Sequence, residues 1–168
     1  EERASLDDDL VVHGADEVRL IPECLSSEGD GIGAGTKLAH EPHVGEPARA
    51  GEVTAGNRTD GISLYIHLPY CESLCTYCGC NTRITVNHAV EKPYIDSVLA
   101  EWKQYRALFN EAPRIRELHL GGGTPTFFSP DNLKRLVDGL LDGSKVMRDA
   151  EMSFEGHPNN TTAEHLRV

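Results

Sequence analysis

The 168 residues include 27 acidic and 16 basic side chains, for a formal net charge of −11, and 39% are hydrophobic. That length suffices for one domain with its own core. The absence of a basic stripe with interleaved aromatics argues against a nucleic-acid partner, and no apolar run reaches the length of a membrane span. The charge is uneven: residues 1–60 carry 14 acidic against 5 basic side chains, whereas residues 61–168 carry 13 against 11.

Residues 1–60 also hold half of the 16 glycines and show no sustained period. They read as an acidic, Gly-rich, flexible leader of unassigned role, within which Leu10–Val12 and Val18–Ile21 are short strand candidates. The run Gly29–Lys37 invites comparison with a phosphate loop. It lacks the Gly-Lys-Ser/Thr order and the preceding strand that would aim backbone amides at a phosphate, so a loop is expected. Cys24 stands alone and reads as an incidental thiol.

From Ile62 the texture changes. Ile62-Ser63-Leu64-Tyr65-Ile66-His67-Leu68 alternates strictly, which predicts a strand. Tyr94, Ile95, Val98, Leu99, Trp102, Leu108 and Phe109 then recur at helical spacing, with Pro93 in the first turn. Ile115–Leu120 predicts a second strand running into Gly121-Gly122-Gly123-Thr124-Pro125. Ser129-Pro130 supplies an N-cap and N1 proline for a helix with Leu133, Leu136, Val137, Leu140 and Leu141 on one face, ended by Gly143. Met152–Glu155 reads as a third strand. Thr161-Thr162-Ala163-Glu164 has capping-box form, so a helix is expected to start just before Val168. From this and the opening at Glu1 we expect a piece of a longer protein. The β-α-β-α-β order predicts parallel strands with right-handed crossovers.

The strand faces differ in character. One presents Ile62, Leu64, Ile66, Leu68, Leu118, Leu120, Met152 and Phe154; the other presents Ser63, Tyr65, His67, Glu117, His119, Ser153 and Glu155. A closed eight-stranded barrel fills its interior with branched aliphatic side chains. A polar lining instead predicts a wider or incomplete barrel around a polar cofactor, the alternative being an open sheet facing water. His67 and His119 are expected to be satisfied packing residues.

Four of the five cysteines fall in Cys71–Cys80. Cys71, Cys75 and Cys78 have the spacing C-x₃-C-x₂-C, which suits three thiolates on a 4Fe–4S cluster with one iron left open. Structural zinc, the main alternative, prefers four ligands from two separated knuckles, and no second knuckle follows. Cys80 could complete a zinc set only across a single intervening residue, and a disulfide staple is the remaining possibility. Reduced thiols in a chain whose opening residues lack a signal-peptide pattern suit a reducing compartment, so a cytoplasmic location is expected. The glycine run, which alone would be a turn, gains meaning beside this loop. Both follow strand ends, where parallel α/β folds place their sites, and glycines let a ligand reach the main chain.

Together, Tyr65-x-His67-x-Pro69-Tyr70-Cys71-x₃-Cys75-x₂-Cys78-Gly79-Cys80 and Gly121-Gly122-Gly123-Thr124-Pro125-Thr126 resemble the radical S-adenosylmethionine (SAM) enzymes, and within them the oxygen-independent coproporphyrinogen III oxidases. The resemblance covers residues 61–168. It implies the amino-terminal half of a radical SAM core domain, an α/β parallel partial barrel truncated after about three strands. The Arg-Tyr-Thr-Ser-Tyr-Pro-type stretch that precedes the first strand in that family is missing from residues 1–60.

The resemblance further implies that Cys71, Cys75 and Cys78 hold a 4Fe–4S cluster whose fourth iron chelates SAM. Tyr65, Gly122 and Glu155 match contacts to that SAM; Tyr77, Gly123 and Thr124 match contacts to a second one. Cys80 matches a cysteine that is not a cluster ligand. The implied reaction is oxidative decarboxylation of coproporphyrinogen III propionates to vinyl groups in haem biosynthesis, through a 5′-deoxyadenosyl radical, with an unidentified electron donor and a monomeric enzyme. A haem-chaperone branch shares these motifs but carries an aromatic residue at the position of Cys80. His157 departs from the more acidic pattern of the family. A non-catalytic metal module, or a fragment inactive by itself, stays open as an alternative.

Overall fold

The computed structural model describes residues 17–20, 57–58 and 60–168. Leu10–Val12, Cys24 and the glycine run 29–35 lie outside them. The described strands are β1 (Glu17–Leu20), β2 (Ile62–Leu68), β3 (Tyr70–Cys71), β4 (Arg83–Ile84), β5 (Arg114–Gly122) and β6 (Lys145–Phe154); the α-helices are α1 (Glu91–Arg106) and α2 (Pro130–Leu141). Four strands form one sheet in the order β1-β2-β5-β6, and every neighbouring pair is parallel. The fourth strand, relative to the three expected, is β1, which lies within Val18–Ile21 plus one preceding residue.

Each strand is added on the same side of the last, without the reversal of order that marks a doubly wound sheet. Both helices bury their apolar faces against one side of this sheet. The shared core includes Ile62, Leu64, Ile66 and Leu68 of β2, Ile115, Leu118 and Leu120 of β5, Tyr94, Ile95, Val98 and Trp102 of α1, and Leu133, Leu136 and Leu140 of α2. Burying each such large side chain is worth about 1.5–3 kcal/mol. Hydrogen bonds complete the packing where polar groups go under. Trp102 Nε1 donates to the Leu140 carbonyl at 2.9 Å, and the Tyr94 hydroxyl donates to the His67 carbonyl at 2.6 Å. Gly139 lets the helices approach, since a Cβ there would stand 2.7 Å from a Leu99 methyl.

Several boundaries depart from the sequence reading. Helix α1 stops at Arg106, short of Leu108 and Phe109, because the chain tightens there into bonds from Leu108 N to Tyr105 O and from Phe109 N to Arg106 O. Phe109 nevertheless packs edge-on to Trp102. Strand β6 begins seven residues before Met152; its first half, Lys145 to Asp149, sets Val146 and Met147 side by side among charged residues and carries no apolar–polar alternation. Met152, expected in the core, is 46% exposed. It lies on the edge strand, where no helix among the described residues covers it. The expected capping box at Thr161–Glu164 does not form. The Thr161 hydroxyl donates to the His157 carbonyl and Thr162 engages the His165 ring, leaving only a 3₁₀ turn at His165–Arg167.

Candidate cluster and cofactor site

The polar face and the carboxyl ends of β2, β5 and β6 meet at one place. The cysteine loop leaves β2 through Pro69 and is pinned at both ends. The amides of Arg83 and Thr85 donate to the carbonyls of Pro69 and Cys71 at 2.8 and 2.9 Å, closing the β3–β4 ribbon around residues 72–82. His67 adds a clamp: its ring Nε2 lies 2.8 Å from the Asn81 carbonyl, and Nδ1 lies 3.4 Å from the Tyr65 hydroxyl. With 7% exposure His67 is a satisfied packing residue, as its sequence context suggested. Within the loop the Cys78 amide donates to the Cys75 carbonyl at 3.1 Å.

The glycine run fits against this loop backbone to backbone. Gly123 N donates to the Leu68 carbonyl at 2.8 Å and Thr124 N to the Tyr70 carbonyl at 3.0 Å. The approach needs bare main chain: a Cβ on Gly123 would stand 2.6 Å from the Pro69 carbonyl group. Gly122 has φ +109°, and a Cβ there would meet the His67 ring at 2.6 Å. The Thr124 hydroxyl reaches Cys71 Sγ at 3.3 Å.

Glu155 closes the third side. It follows β6 directly, its amide donates to the Leu120 carbonyl at 2.9 Å, and its carboxylate accepts from Gly122 N at 3.2 Å. His119 approaches the same carboxylate at 3.6 Å through Nε2, with Nδ1 on the Ser153 hydroxyl at 2.8 Å and Tyr65 stacked on its ring at 5.7 Å. His119 is thus a neighbour of the site, where the sequence suggested only packing.

These segments enclose a cavity of about 330 Å³. Its wall includes Cys71, Cys75, Cys78 and Cys80 from the loop, Tyr77, then Gly122, Gly123 and Thr124, and finally Glu155 and His157. Of the site residues expected from sequence, only Tyr65 is missing from that wall, held one layer away by its stack on His119. Cys80 stands next to Cys78. Burial pushes its thiol up, with further upward contributions from the charge and hydrogen bond of Cys78 and from Glu155 and Cys71.

Three soft sulfur donors from one short loop suit an iron–sulfur cluster better than an oxygen-seeking ion. The Gly122, Gly123 and Thr124 amides opposite are already engaged within the chain, and the missing side chains of the two glycines leave room for a polar ligand beside the main chain and the Glu155 carboxylate. The residues therefore fit a cluster with a cofactor next to it. Among the described residues no three His, Cys, Asp or Glu side chains are gathered at metal-holding distance, so the thiols share the wall without forming a closed knuckle. Sequence reasoning missed the polar support beneath Glu155. The Thr126 hydroxyl donates to Asn160 at 2.6 Å and accepts from the His157 amide at 3.1 Å, fixing the turn after β6. These partners lie more than thirty residues apart, and no local signal joins them.

No family model matches the chain. Curated relatives do. The chain is 34% identical over 118 residues to an oxygen-independent coproporphyrinogen III oxidase of Paracoccus denitrificans (strain Pd 1222), a match covering 70% of this chain and 26% of the relative. It is 35% identical over 110 residues to the protein of that name from Escherichia coli (strain K12), covering 64% and 24%. A third, from Mannheimia haemolytica, is 38% identical over 97 residues, covering 58% of this chain and 66% of that relative. Among solved structures, a coproporphyrinogen III oxidase from Escherichia coli described as a radical SAM enzyme superposes with a TM-score of 0.58 at 35% identity, over 62% of this chain and 25% of that one. The chain thus spans about a quarter of the length of the first two relatives.

Proposed function

The chain is a homologue of the oxygen-independent coproporphyrinogen III oxidases, and on that premise we propose that its cavity is the cluster and cofactor half of a radical SAM active site. In this reading Cys71, Cys75 and Cys78 hold three irons of a 4Fe–4S cluster. Tyr65, Gly122 and Glu155 serve one SAM, and Tyr77, Gly123 and Thr124 serve a second. The open parallel sheet is the start of a partial barrel, to which residues 61–168 give three strands and β1 adds the fourth at its edge. The whole protein would decarboxylate the propionates of coproporphyrinogen III oxidatively to vinyl groups, as a cytoplasmic monomer supplied with electrons from outside.

When bound, the cluster and SAM supply a carbon-centred radical able to take a hydrogen atom from an unactivated position. The chain's own part is placement. The Gly122 amide fixes the Glu155 carboxylate toward the cavity, ready to accept from a cofactor ammonium or hydroxyl group. Gly123 and Thr124 bring bare main chain against the loop, and the His67 clamp holds the loop to β2. Tyr77, 90% exposed, is free to lie across a ligand and shed water from it.

One observation carries this reading: three cysteines, two glycines and one glutamate from three parallel strand ends line the same cavity. The test is anaerobic reconstitution with iron and sulfide, then electron paramagnetic resonance of the reduced protein with and without SAM. The expected result is a cluster signal that SAM changes. A signal indifferent to SAM, or zinc without sulfide, would overturn the proposal.

A further inference from the structure

The first glycine of the run is not part of the cavity wall, which takes Gly122 and Gly123 only. A Cβ on Gly121 would stand 3.0 Å from His119 Nε2 and 3.1 Å from both Cε2 and the hydroxyl oxygen of Tyr65. The bare position lets these two rings lie close over β5. Tyr65, His119 and Ser153 are direct partners across β2, β5 and β6, so they form one row on the polar face. The row is joined side chain to side chain. Tyr65 stacks on His119 with ring centres 5.7 Å apart and planes 27° off parallel, and Ser153 Oγ lies 2.8 Å from His119 Nδ1. On its other side His119 Nε2 faces Glu155 Oε1 at 3.6 Å, while Oε2 of the same carboxylate accepts from the Gly122 amide.

A carboxylate only accepts hydrogen bonds, whereas a serine hydroxyl can donate. The arrangement that satisfies both neighbours of His119 puts the ring proton on Nε2, toward Glu155, and turns the Ser153 hydroxyl to donate to Nδ1. Each oxygen of Glu155 then faces a donor from β5. A separation of 3.6 Å is longer than a hydrogen bond, and site contacts of this kind commonly shorten once a ligand is bound. With side chains 40% and 55% exposed, the pair adds little to stability. What it adds is direction, because a carboxylate approached at both oxygens has less freedom left to lose when a ligand arrives.

We propose that His119 is a positioning residue for Glu155, and that the row of Tyr65, His119 and Ser153 aims that carboxylate at a donor group of SAM. This rests on the assignment of Glu155 to SAM above. The imidazole itself touches no cofactor in this scheme.

The reconstituted chain is titrated anaerobically with SAM, and bound ligand is measured by equilibrium dialysis with the cluster kept oxidised so that none is consumed. His119→Phe keeps a ring for Tyr65 and removes the donor, so it should weaken SAM binding about fivefold. His119→Gln returns an N–H close to the place of Nε2 and should stay within about twofold of the unmodified chain. In a Glu155→Gln background His119→Phe should cause no further loss, because its effect passes through that carboxylate. Ser153→Ala, on the edge strand, should weaken binding in the same direction but less, again only while Glu155 is present; it carries the test if His119→Phe fails to load a cluster. Unchanged binding in His119→Phe, equal losses in the Phe and Gln variants, or a loss that persists without Glu155 would each overturn the inference and leave the SAM assignment standing. No SAM bound by the unmodified chain, or binding indifferent to Glu155→Gln alone, overturns that assignment and this inference with it.

Discussion

The hydroxyl of Thr124 lies 3.3 Å from the sulfur of Cys71. It joins the glycine run to the cysteine loop. A hydroxyl donating to a thiolate withdraws electron density and stabilises the reduced cluster. Thr124→Val keeps the volume and removes the donor, so the reconstituted cluster should have a more negative reduction potential, while Thr124→Ser restores it. Potentiometric titration followed by electron paramagnetic resonance measures both; equal potentials in all three proteins would mean the contact does not survive cluster binding.

Cysteine replacement should divide the thiols into two groups. Alanine at Cys71, Cys75 or Cys78 should abolish the cluster, because each removes one of three ligands. Alanine at Cys80 should leave it, since Cys80 shares the cavity wall beside Cys78 but adds no fourth place in the proposed set. Cys24→Ala should leave it as well. Iron and sulfide analysis decides; loss of iron in Cys80→Ala would move the assignment toward a four-thiol site.

Gly123→Ala should be far more damaging than an ordinary loop substitution. The added methyl would fall 2.6 Å from the Pro69 carbonyl group, which is backbone and cannot rotate aside. Relief requires the glycine run to retreat, which breaks the bonds of Gly123 N to Leu68 O and of Thr124 N to Tyr70 O. A cost of roughly 1–3 kcal/mol is expected from the overpacking alone. Chemical denaturation of the chain before and after reconstitution gives the number, and the variant should also load less iron because the loop loses its backing.

What could be read in advance followed from local chemistry. The alternation in Ile62–Leu68 and in Leu118–Leu120 fixed the buried face, because a strand has only two sides and β2 is central. Ser129-Pro130 marked the start of α2 correctly, yet the Ser129 hydroxyl donates to Glu91 and makes no cap bond. The cavity wall was legible because its residue types carry their chemistry with them. The contact of His119 with Glu155, and the Thr126–Asn160 bond, were not: each depends on the register between β5 and β6, which slips between Ile115 and Glu117. Met152 was misplaced because alternation says which face a residue takes but not whether anything covers that face.

Glu91 shows how a charge can be buried without being a site. At the first position of α1 it accepts from Ser129 N at 2.9 Å, the Ser129 hydroxyl at 3.0 Å and Asn132 Nδ2 at 2.6 Å, while the His88 ring lies 2.7 Å away. It thereby ties the start of α1 to the start of α2 and sits in the positive end of its own helix dipole. Burial pushes its carboxyl up, but the bonds from Asn132, Ser129 and His88 together hold it below the ordinary carboxylate value. A group depressed in the folded state favours folding above its unfolded pKa of about 4.3. That stability is lost as pH falls from there through the lower folded value, because the unfolded chain binds the proton first. Acid should therefore loosen the α1–α2 contact, and Glu91→Gln should flatten this part of the pH dependence. At pH 7 the same variant should lose about 1–3 kcal/mol, since a neutral amide oxygen replaces the charged oxygen that accepts from Ser129 and Asn132, and its NH2 group takes the place of the oxygen facing His88. Unfolding curves of the two proteins between pH 7 and pH 3 measure the difference; parallel curves would mean that the carboxylate is not ionised in the folded protein.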